Sequence, residues 1–294
     1  MQQATLTTPI PYKRMRPLLG TFVEIQLLSA QDRPTVEYAL NDAFAAIEEI
    51  QQQMSFHDAK SALNQLNFAP YEWHAVSNQL FEVLQLGWAL QQQTQGRFYL
   101  FSGQALQNLN ILPRHQDSQT NQKIDARKTV PLIELKTQAT TKWARINCAM
   151  PICLDGIAKG YAVDQAIARL KANKVPSAYV NAGGDMRIYG DLRKQILQTN
   201  GASLRPITQL QNAALATSQQ RHKPNHDFPS WIITPEGQAC QNAVVSVQAE
   251  QAYLADALTK VFLQSSPSEI TQLEKQFGVC ALLTPSSHSS HKDY

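Results

Sequence analysis

A short turn with two glycines around a lysine, residues 156–160, is the stretch of this sequence best suited to hold an anion. Apolar residues at helical spacing follow it directly: Val163, Ala166, Ile167 and Leu170. The first N–H groups of a helix have no intrahelical partner, and the helix dipole adds positive charge there, so such a turn suits a phosphate. Lys159 adds a full positive charge. The same pattern also describes an ordinary strand-to-helix turn with a solvated lysine.

A second group of polar residues lies near the C-terminal end of the sequence. Asp256, Thr259 and Lys260 stand at i, i+3 and i+4 of a predicted helix, so they share one face of it. Apolar residues form the opposite face: Leu254, Leu258, Val261 and Phe262. Asp256 is therefore the one carboxylate on the polar face of its helix.

A pair of glycines interrupts a predicted strand and forms the third candidate. The strand over residues 178–181 breaks at Gly183 and Gly184, beside Asp185, and the alternation resumes at residue 186. Paired glycines permit positive φ and a close approach of the backbone. Such a break is often only a β-bulge, but next to an anion-binding turn it is a stronger site candidate.

The composition describes a globular chain without a nucleic-acid or membrane patch. Hydrophobic residues make up 43% of the 294 residues, charged residues 17%, and the net charge is +3. No Lys/Arg run is present, and no apolar run approaches the ~20 residues that span a bilayer. The four cysteines lack zinc-site spacing, which favours buried free thiols in a reducing compartment. Without a visible signal segment the chain is predicted to be cytoplasmic, or periplasmic if the sequence is a processed form.

The patterning indicates an α+β fold whose strands and helices position these three groups. Helices are predicted over residues 32–54, 78–93, 161–173, 252–264 and 269–277, with a further short helix within 55–67. Strands are predicted over residues 22–27, 130–135, 143–148, 178–181, 186–189, 213–218, 231–235, 243–247 and 279–283. Residues 101–122 are predicted to be irregular.

Several segments, in their order, resemble the motifs of the ApbE family, the FAD:protein FMN transferases. They are residues 16–21, 54–67, 96–99, 156–164, 181–185, 216–218 and 255–258. The resemblance extends roughly from Arg16 to Leu263, and residues 156–164 match the most distinctive string of the family. It implies an ApbE-like α+β fold with mixed sheets and flanking helices around a flavin-dinucleotide cleft. The expected domain covers residues 12–290, with two packed subdomains, about 12–110 and 123–290, as the alternative.

The resemblance also implies an activity. The enzyme would split the pyrophosphate of FAD and attach FMN, through a phosphoester, to a Ser or Thr hydroxyl of a partner flavoprotein, with release of AMP. The implied cofactors are FAD, as the substrate, and Mg²⁺. Neither a nucleic acid nor a membrane span is expected.

Roles for individual residues follow from the same resemblance. Asp256 and Lys159 would be catalytic, and Lys159 would face the pyrophosphate. The carbonyl of Ala158, the carboxylate of Asp256 and the hydroxyl of Thr259 would bind magnesium, since hard oxygen ligands suit this ion. The residues expected to bind the dinucleotide are Met15, Asp155, Lys159, Asn181, Gly183, Gly184, Asp185, Thr217 and Ser218.

The chain departs from the family pattern at some of these places. Lys260 stands where the family has a Thr, and an ammonium cannot ligate magnesium; it would lie beside Asp256 and neutralise phosphate charge without a metal, or Thr259 would serve as the ligand. Trp231 and Thr234 replace a His and an Asp, and Tyr99 replaces an acid. Asp155 takes a place where the family often has a glycine, and would help to bind a cation. Two alternatives to a working transferase therefore remain: a protein that binds FAD or hydrolyses it without modifying a protein, and a phosphate-binding module without catalysis.

Overall fold

The computed structural model describes residues 9–115, 132–200, 203–219 and 244–284. Its elements, in chain order, are β1 (Ile10–Leu18), β2 (Thr21–Ser29), α1 (Arg33–Met54), α2 (Ala62–Phe68), β3 (His74–Val76), α3 (Asn78–Gln93), α4 (Gly103–Asn108), β4 (Ile133–Gln138), β5 (Thr141–Ile146), α5 (Ala158–Ala172), β6 (Ser177–Ala182), β7 (Asp185–Tyr189), β8 (Lys194–Asn200), β9 (Ser203–Leu210), β10 (Ala213–Gln219), β11 (Val244–Ala249), α6 (Ala252–Phe262), α7 (Pro267–Phe277) and β12 (Cys280–Thr284).

A seven-stranded sheet forms the centre of the described structure. Its strand order is β1-β2-β6-β7-β10-β11-β12, and each neighbouring pair is antiparallel. Two smaller antiparallel sheets have the orders β3-β5-β4 and β8-β9. Antiparallel sheets with helices packed on them confirm the predicted α+β class.

The core lies between one face of the large sheet and the helices α1, α5 and α6. On β2 the residues Val23, Ile25 and Leu27 are buried, and they alternate with less buried neighbours as a half-buried strand requires. Helix α1 packs along α5, and α5 in turn packs on α6. These contacts join early and late parts of the sequence in one hydrophobic core, and the single domain over residues 12–290 stays a prediction.

Helix α1 shows why the sequence predicts the helices well. Asp32 accepts a hydrogen bond from the N–H of Thr35 and caps the N-terminus, and Pro34 stands in the first turn. Its apolar stripe is buried along the full length of the helix. Helix α3 has the same bounds as the prediction, because Ser77 caps its N-terminus and accepts from the N–H of Leu80.

Five elements are absent from the sequence prediction: β1, β3, β8, β9 and α4. Strand β1 contains Pro11 and Pro17. Proline is compatible with an edge strand such as β1, but in a sequence it argues against a strand. The hairpin of β8 and β9 carries a β-bulge between Ile196 and Leu197, which interrupts the alternation. Helix α4 lies within the predicted irregular segment, and Ser102 at its N-cap makes no side-chain capping bond.

Other predictions are met in part or lie outside the described residues. Strand β4 begins at Ile133 rather than residue 130. Of the described cysteines, none is in a disulfide; Cys148 and Cys153 are buried as predicted, but Cys280 is exposed on the edge strand β12. The predicted strand at residues 231–235 and Cys240 lie outside the described residues. Among the helices of the described part, none is long and apolar enough to cross a bilayer.

Candidate functional site

The glycine–lysine turn forms the first turn of helix α5. The helix begins at Ala158, so Lys159 and Gly160 belong to it, and the N-cap residue Ile157 offers no side-chain hydrogen bond. The N–H of Gly160 instead donates to Oδ2 of Asp256, over 3.1 Å. A carboxylate from α6 thereby satisfies one of the unpaired N–H groups at the start of α5 and interacts favourably with its dipole.

The close approach of two helices explains the glycine at position 160. A Cβ atom built on Gly160 would lie 2.3 Å from the carbonyl oxygen of Ala252, at the start of α6. Only a residue without a side chain permits that distance. The sequence therefore holds the N-terminal turn of α5 against the N-terminal turn of α6, with Asp256 one turn further along α6.

Asp256 and Lys260 form an ion pair within α6. The ammonium of Lys260 donates to Oδ1 of Asp256 and also, over 3.0 Å, to its main-chain carbonyl. The side chain of Asp256 is 1% exposed and that of Lys260 is 21% exposed. Although burial lowers the pKa of Lys260, the charges of Asp256, Asp185 and Asp155 outweigh it, so the net effect is a raised pKa. The ammonium is therefore retained at neutral pH.

The turn of Gly183 and Gly184 places Asp185 near Asp256 and Lys260. Asp185 is buried at the start of β7. Burial, and secondly the charge of Asp256, raise its pKa to about 7, while Lys260 and Lys159 act in the opposite direction. The predicted residues Lys159, Asp185, Asp256 and Lys260, from three separate elements, therefore lie within electrostatic reach of one another.

The turn between β6 and β7 is tightly fixed. Asn181 accepts a hydrogen bond of 2.9 Å from the N–H of Gly184. Gly183 has φ +66°, and a Cβ atom there would lie 2.7 Å from Oγ1 of Thr21. Both features require glycine at this position, and they bring the start of β2 next to the turn. The break in the strand pattern is thus a tight β-hairpin turn, not a bulge.

The hydroxyl groups of β10 point to opposite faces of the sheet. Ser218 shares a hydrogen bond of 2.7 Å with Thr259, on the side of α6, and Thr259 also donates to the carbonyl of Asp256. Thr217 shares a hydrogen bond of 2.8 Å with Ser246 of β11, its cross-strand partner. The structure therefore brings Ser218 next to the charged cluster through Thr259, whereas Thr217 follows the other face.

Asp164 is a positioning residue that the sequence analysis does not identify. Its carboxylate accepts from the N–H groups of Ala252 (3.0 Å) and Tyr253 (2.9 Å) at the start of α6, and it pairs with Arg187 of β7 at 2.6 Å. Burial raises its pKa although these partners counteract the effect. Asp164 ties α5, α6 and β7 together. In the sequence it is only one carboxylate in a helix, so its role becomes visible once α6 is in place.

Two of the predicted dinucleotide-binding residues, Met15 and Asp155, are exposed. Met15 is 52% exposed on β1, where it pairs with Glu24, and Glu24 pairs in turn with Asn181. Asp155 is exposed before α5, and its charge still contributes to the raised pKa of Lys260. The roles predicted for both remain predictions.

Two of the residues predicted to bind magnesium, Asp256 and Thr259, do not fit that ion as they are arranged. Oδ1 of Asp256 accepts from the ammonium of Lys260, and Oδ2 accepts from the N–H of Gly160. Thr259 already shares its hydroxyl with Ser218 and the carbonyl of Asp256. No group of three His, Cys, Asp or Glu side chains suited to a metal occurs in the described part of the chain. A divalent cation at Asp256 would have to displace an ammonium group.

Solved structures of ApbE proteins share this fold. The flavin transferase ApbE from Vibrio cholerae is 21% identical, with a TM-score of 0.71 over 94% of this chain and 93% of that one. The flavinyl transferase ApbE from Pseudomonas stutzeri is 19% identical, with a TM-score of 0.73 over 94% and 91% of the two chains. The ApbE protein from Thermotoga maritima is 22% identical, with a TM-score of 0.74 over 93% and 94%.

The sequence model of the ApbE family matches residues 19–283, and this chain therefore belongs to the ApbE family. The match confirms the resemblance drawn from the motifs. Among curated proteins, none matches the chain.

Proposed function

We propose that this protein is an FAD:protein FMN transferase. It cleaves the pyrophosphate of FAD and attaches FMN to a Ser or Thr hydroxyl of an acceptor flavoprotein. Membership of the ApbE family supports this, as do structural neighbours named as flavin transferases. The observation that carries the proposal is the hydrogen bond that joins the start of α5, where Lys159 stands, to Asp256 of α6, the partner of Lys260. Two ammonium groups beside a helix N-terminus suit a diphosphate.

The proposed reaction needs positive charge where the leaving phosphate develops negative charge. The acceptor oxygen forms a bond to the phosphorus on the FMN side, and the bond from that phosphorus to the bridging oxygen breaks. AMP leaves with the bridging oxygen, and the proton of the acceptor hydroxyl is released to the medium. In this proposal Lys159 donates to the diphosphate and stabilises that charge. Asp256 fixes the start of α5 and holds Lys260 in place.

The remaining predicted residues take binding roles in this proposal. The turn of Asn181, Gly183, Gly184 and Asp185 lines the dinucleotide cleft, next to the diphosphate. Ser218 lies beside Thr259 and α6, close to the phosphates. Thr217 and Met15 stay predicted contacts of the flavin, and Asp155 a predicted contact at the mouth of the site.

Magnesium dependence, with Ala158, Asp256 and Thr259 as ligands, is implied by the family resemblance alone. Because the donor set around Asp256 does not fit the ion, no step of the proposed reaction passes through a metal.

A single assay tests the proposed function. The purified protein is incubated with FAD and an acceptor flavoprotein, and AMP and covalently bound flavin are measured separately. A transferase releases AMP in equal amount to the flavin attached to the acceptor, and gives no AMP when FMN replaces FAD. AMP together with free FMN would instead identify an FAD hydrolase. FAD binding without AMP would identify a binding protein, and either outcome contradicts the proposal.

A further inference from the structure

We propose that the ammonium of Lys260 is a built-in cation, which takes the place of a divalent metal beside Asp256, so that this protein binds and cleaves FAD without one. The inference rests on the proposed function and deepens it, since it concerns the charge that the same site brings to the diphosphate. It accounts for the mismatch between the donor set around Asp256 and a magnesium ion.

The first support is the bonding of Asp256. A carboxylate that binds magnesium must offer an oxygen to it. Both oxygens of Asp256 already accept from donors of the chain, one from Lys260 and one from the N–H of Gly160. The Gly160 bond is held by the packing of the α5 backbone against Ala252. The other oxygen, Oδ1, accepts from the ammonium of Lys260, so a metal ion bound to Oδ1 would compete with that ammonium.

The second support is the way in which Lys260 is held. Asp256 lies four residues before Lys260 on α6, which is the favourable order for an ion pair on a helix. The ammonium has a second acceptor in the carbonyl of Asp256, at 3.0 Å. The lysine stem lies beside Gly156, since a Cβ atom at that glycine would be in ordinary van der Waals contact with Cε of Lys260, at 3.8 Å. The side chain thus runs along the anion-binding turn and is only about one-fifth exposed.

The third support is the charge around Lys260. Asp256 contacts the ammonium directly, and the carboxylates of Asp185 and Asp155 lie within electrostatic reach of it, so groups of the chain balance its charge. A divalent ion placed at Oδ1 of Asp256 would come within about 4 Å of that ammonium, where two like charges repel strongly in a buried site. Lys159 also acts electrostatically on Asp185, so the site offers two fixed positive charges to a diphosphate.

The proposal is tested by metal binding, which does not depend on turnover. Mn²⁺, an oxygen-ligated divalent probe, is titrated into the FAD-loaded protein and its free concentration is followed by electron paramagnetic resonance. The wild-type protein is expected to bind no Mn²⁺ at this site. The variant Lys260→Thr removes the ammonium and adds a hydroxyl, and is expected to gain one Mn²⁺ site, which Asp256→Asn then abolishes. Lys275→Thr, an exposed lysine of α7, is the matched control and stays without a site.

AMP release is the second measurement. EDTA is expected to change the wild-type rate less than twofold, whereas Lys260→Thr becomes at least tenfold slower in EDTA than in Mg²⁺. A stoichiometric Mn²⁺ site in the wild-type protein that Asp256→Asn removes would overturn the inference, even if the Lys260 variant failed to fold. A folded Lys260→Thr protein that gains no site would also overturn it. Failure of the proposed function appears separately, as the absence of AMP under every metal condition.

Discussion

The N–H of Gly160 donates a hydrogen bond to the carboxylate of Asp256, which lies 96 residues further along the chain. This one bond joins the two motifs that the sequence offers for anion chemistry. It exists because α5 and α6 approach so closely that position 160 has no room for a side chain. The proposed diphosphate site therefore depends on helix packing as well as on its charged residues.

The two side chains Asp256 and Lys260 are expected to have a large coupling free energy in a double-mutant cycle of unfolding. Asp256→Ala leaves a mostly buried ammonium without its carboxylate and should lower the free energy of unfolding by about 2–3 kcal/mol, less than a fully buried pair because Lys260 is partly exposed. The double variant with Lys260→Met should be less destabilised than the sum of the single variants, by about 1–3 kcal/mol. Urea unfolding of the four proteins measures this coupling, and additive effects would contradict the ion pair.

Gly160→Ala is expected to separate α5 from α6. The added methyl group would meet the carbonyl of Ala252 at 2.3 Å, which should cost about 3 kcal/mol of stability and move the Gly160 N–H away from Asp256. Gly156→Ala is the matched control in the same turn, because its nearest contact is 3.4 Å from Phe98. Thermal unfolding and FAD cleavage of both variants are measured. Equal behaviour of the two variants would refute the packing argument.

Asp164→Ala is expected to release the start of α6. The N–H groups of Ala252 and Tyr253 and the guanidinium of Arg187 would all lose their acceptor, for a loss of about 3 kcal/mol. Glu48→Ala removes an exposed ion pair with Arg16 and should cost less than about 1 kcal/mol. Hydrogen exchange at the first turn of α6 should rise in the Asp164 variant alone. Unchanged protection there would show that Asp164 does not position the helix.

The stability of the free protein is expected to depend on pH through Asp185. Its folded pKa is raised to about 7, so the folded protein holds the proton more tightly than the unfolded chain. This contribution is present in full below the unfolded pKa near 4 and is lost as the pH rises through 7. Asp185→Asn should remove that decline between pH 5 and pH 8 in urea unfolding. A parallel decline in the wild-type protein and the variant would assign it to other groups.

The helices and strands that the sequence predicts correctly are those whose apolar periodicity or capping residues match their burial in the fold. The stripe of α1, the caps of α3 and the alternation of β2 each occur in a half-buried element, where periodicity is strongest. Strand β1 and the hairpin of β8 and β9 are not predicted, since an edge strand and a bulged hairpin lack that periodicity. The ApbE family is identified from the order of its motifs, which is recognisable although the chain is only 21% identical to the Vibrio cholerae protein.

The sequence predicts which residues form the candidate site, but it does not predict the hydrogen bonds and ion pairs between them. Lys159, Asp185 and Asp256 stand out by residue type and by the glycines near them, and the structure brings them together. The burial of the polar face of α6 is not visible in its sequence, because Asp256 and Thr259 face other elements rather than solvent. Asp164 is missed for a similar reason. Two of its partners are backbone N–H groups, which carry no sequence signal, and the third is the side chain of Arg187 on a distant strand.

The affinities of Lys159→Ala for FAD and for riboflavin test the central claim most directly, namely that this site holds the diphosphate of the flavin dinucleotide. A charge-assisted bond to phosphate contributes about 1.5–3 kcal/mol, so FAD affinity should fall roughly 10- to 100-fold. Riboflavin carries no phosphate, and its affinity should stay within about twofold. Lys171→Ala, at the other end of α5, serves as the control. Equal losses for FAD and riboflavin would contradict the claim.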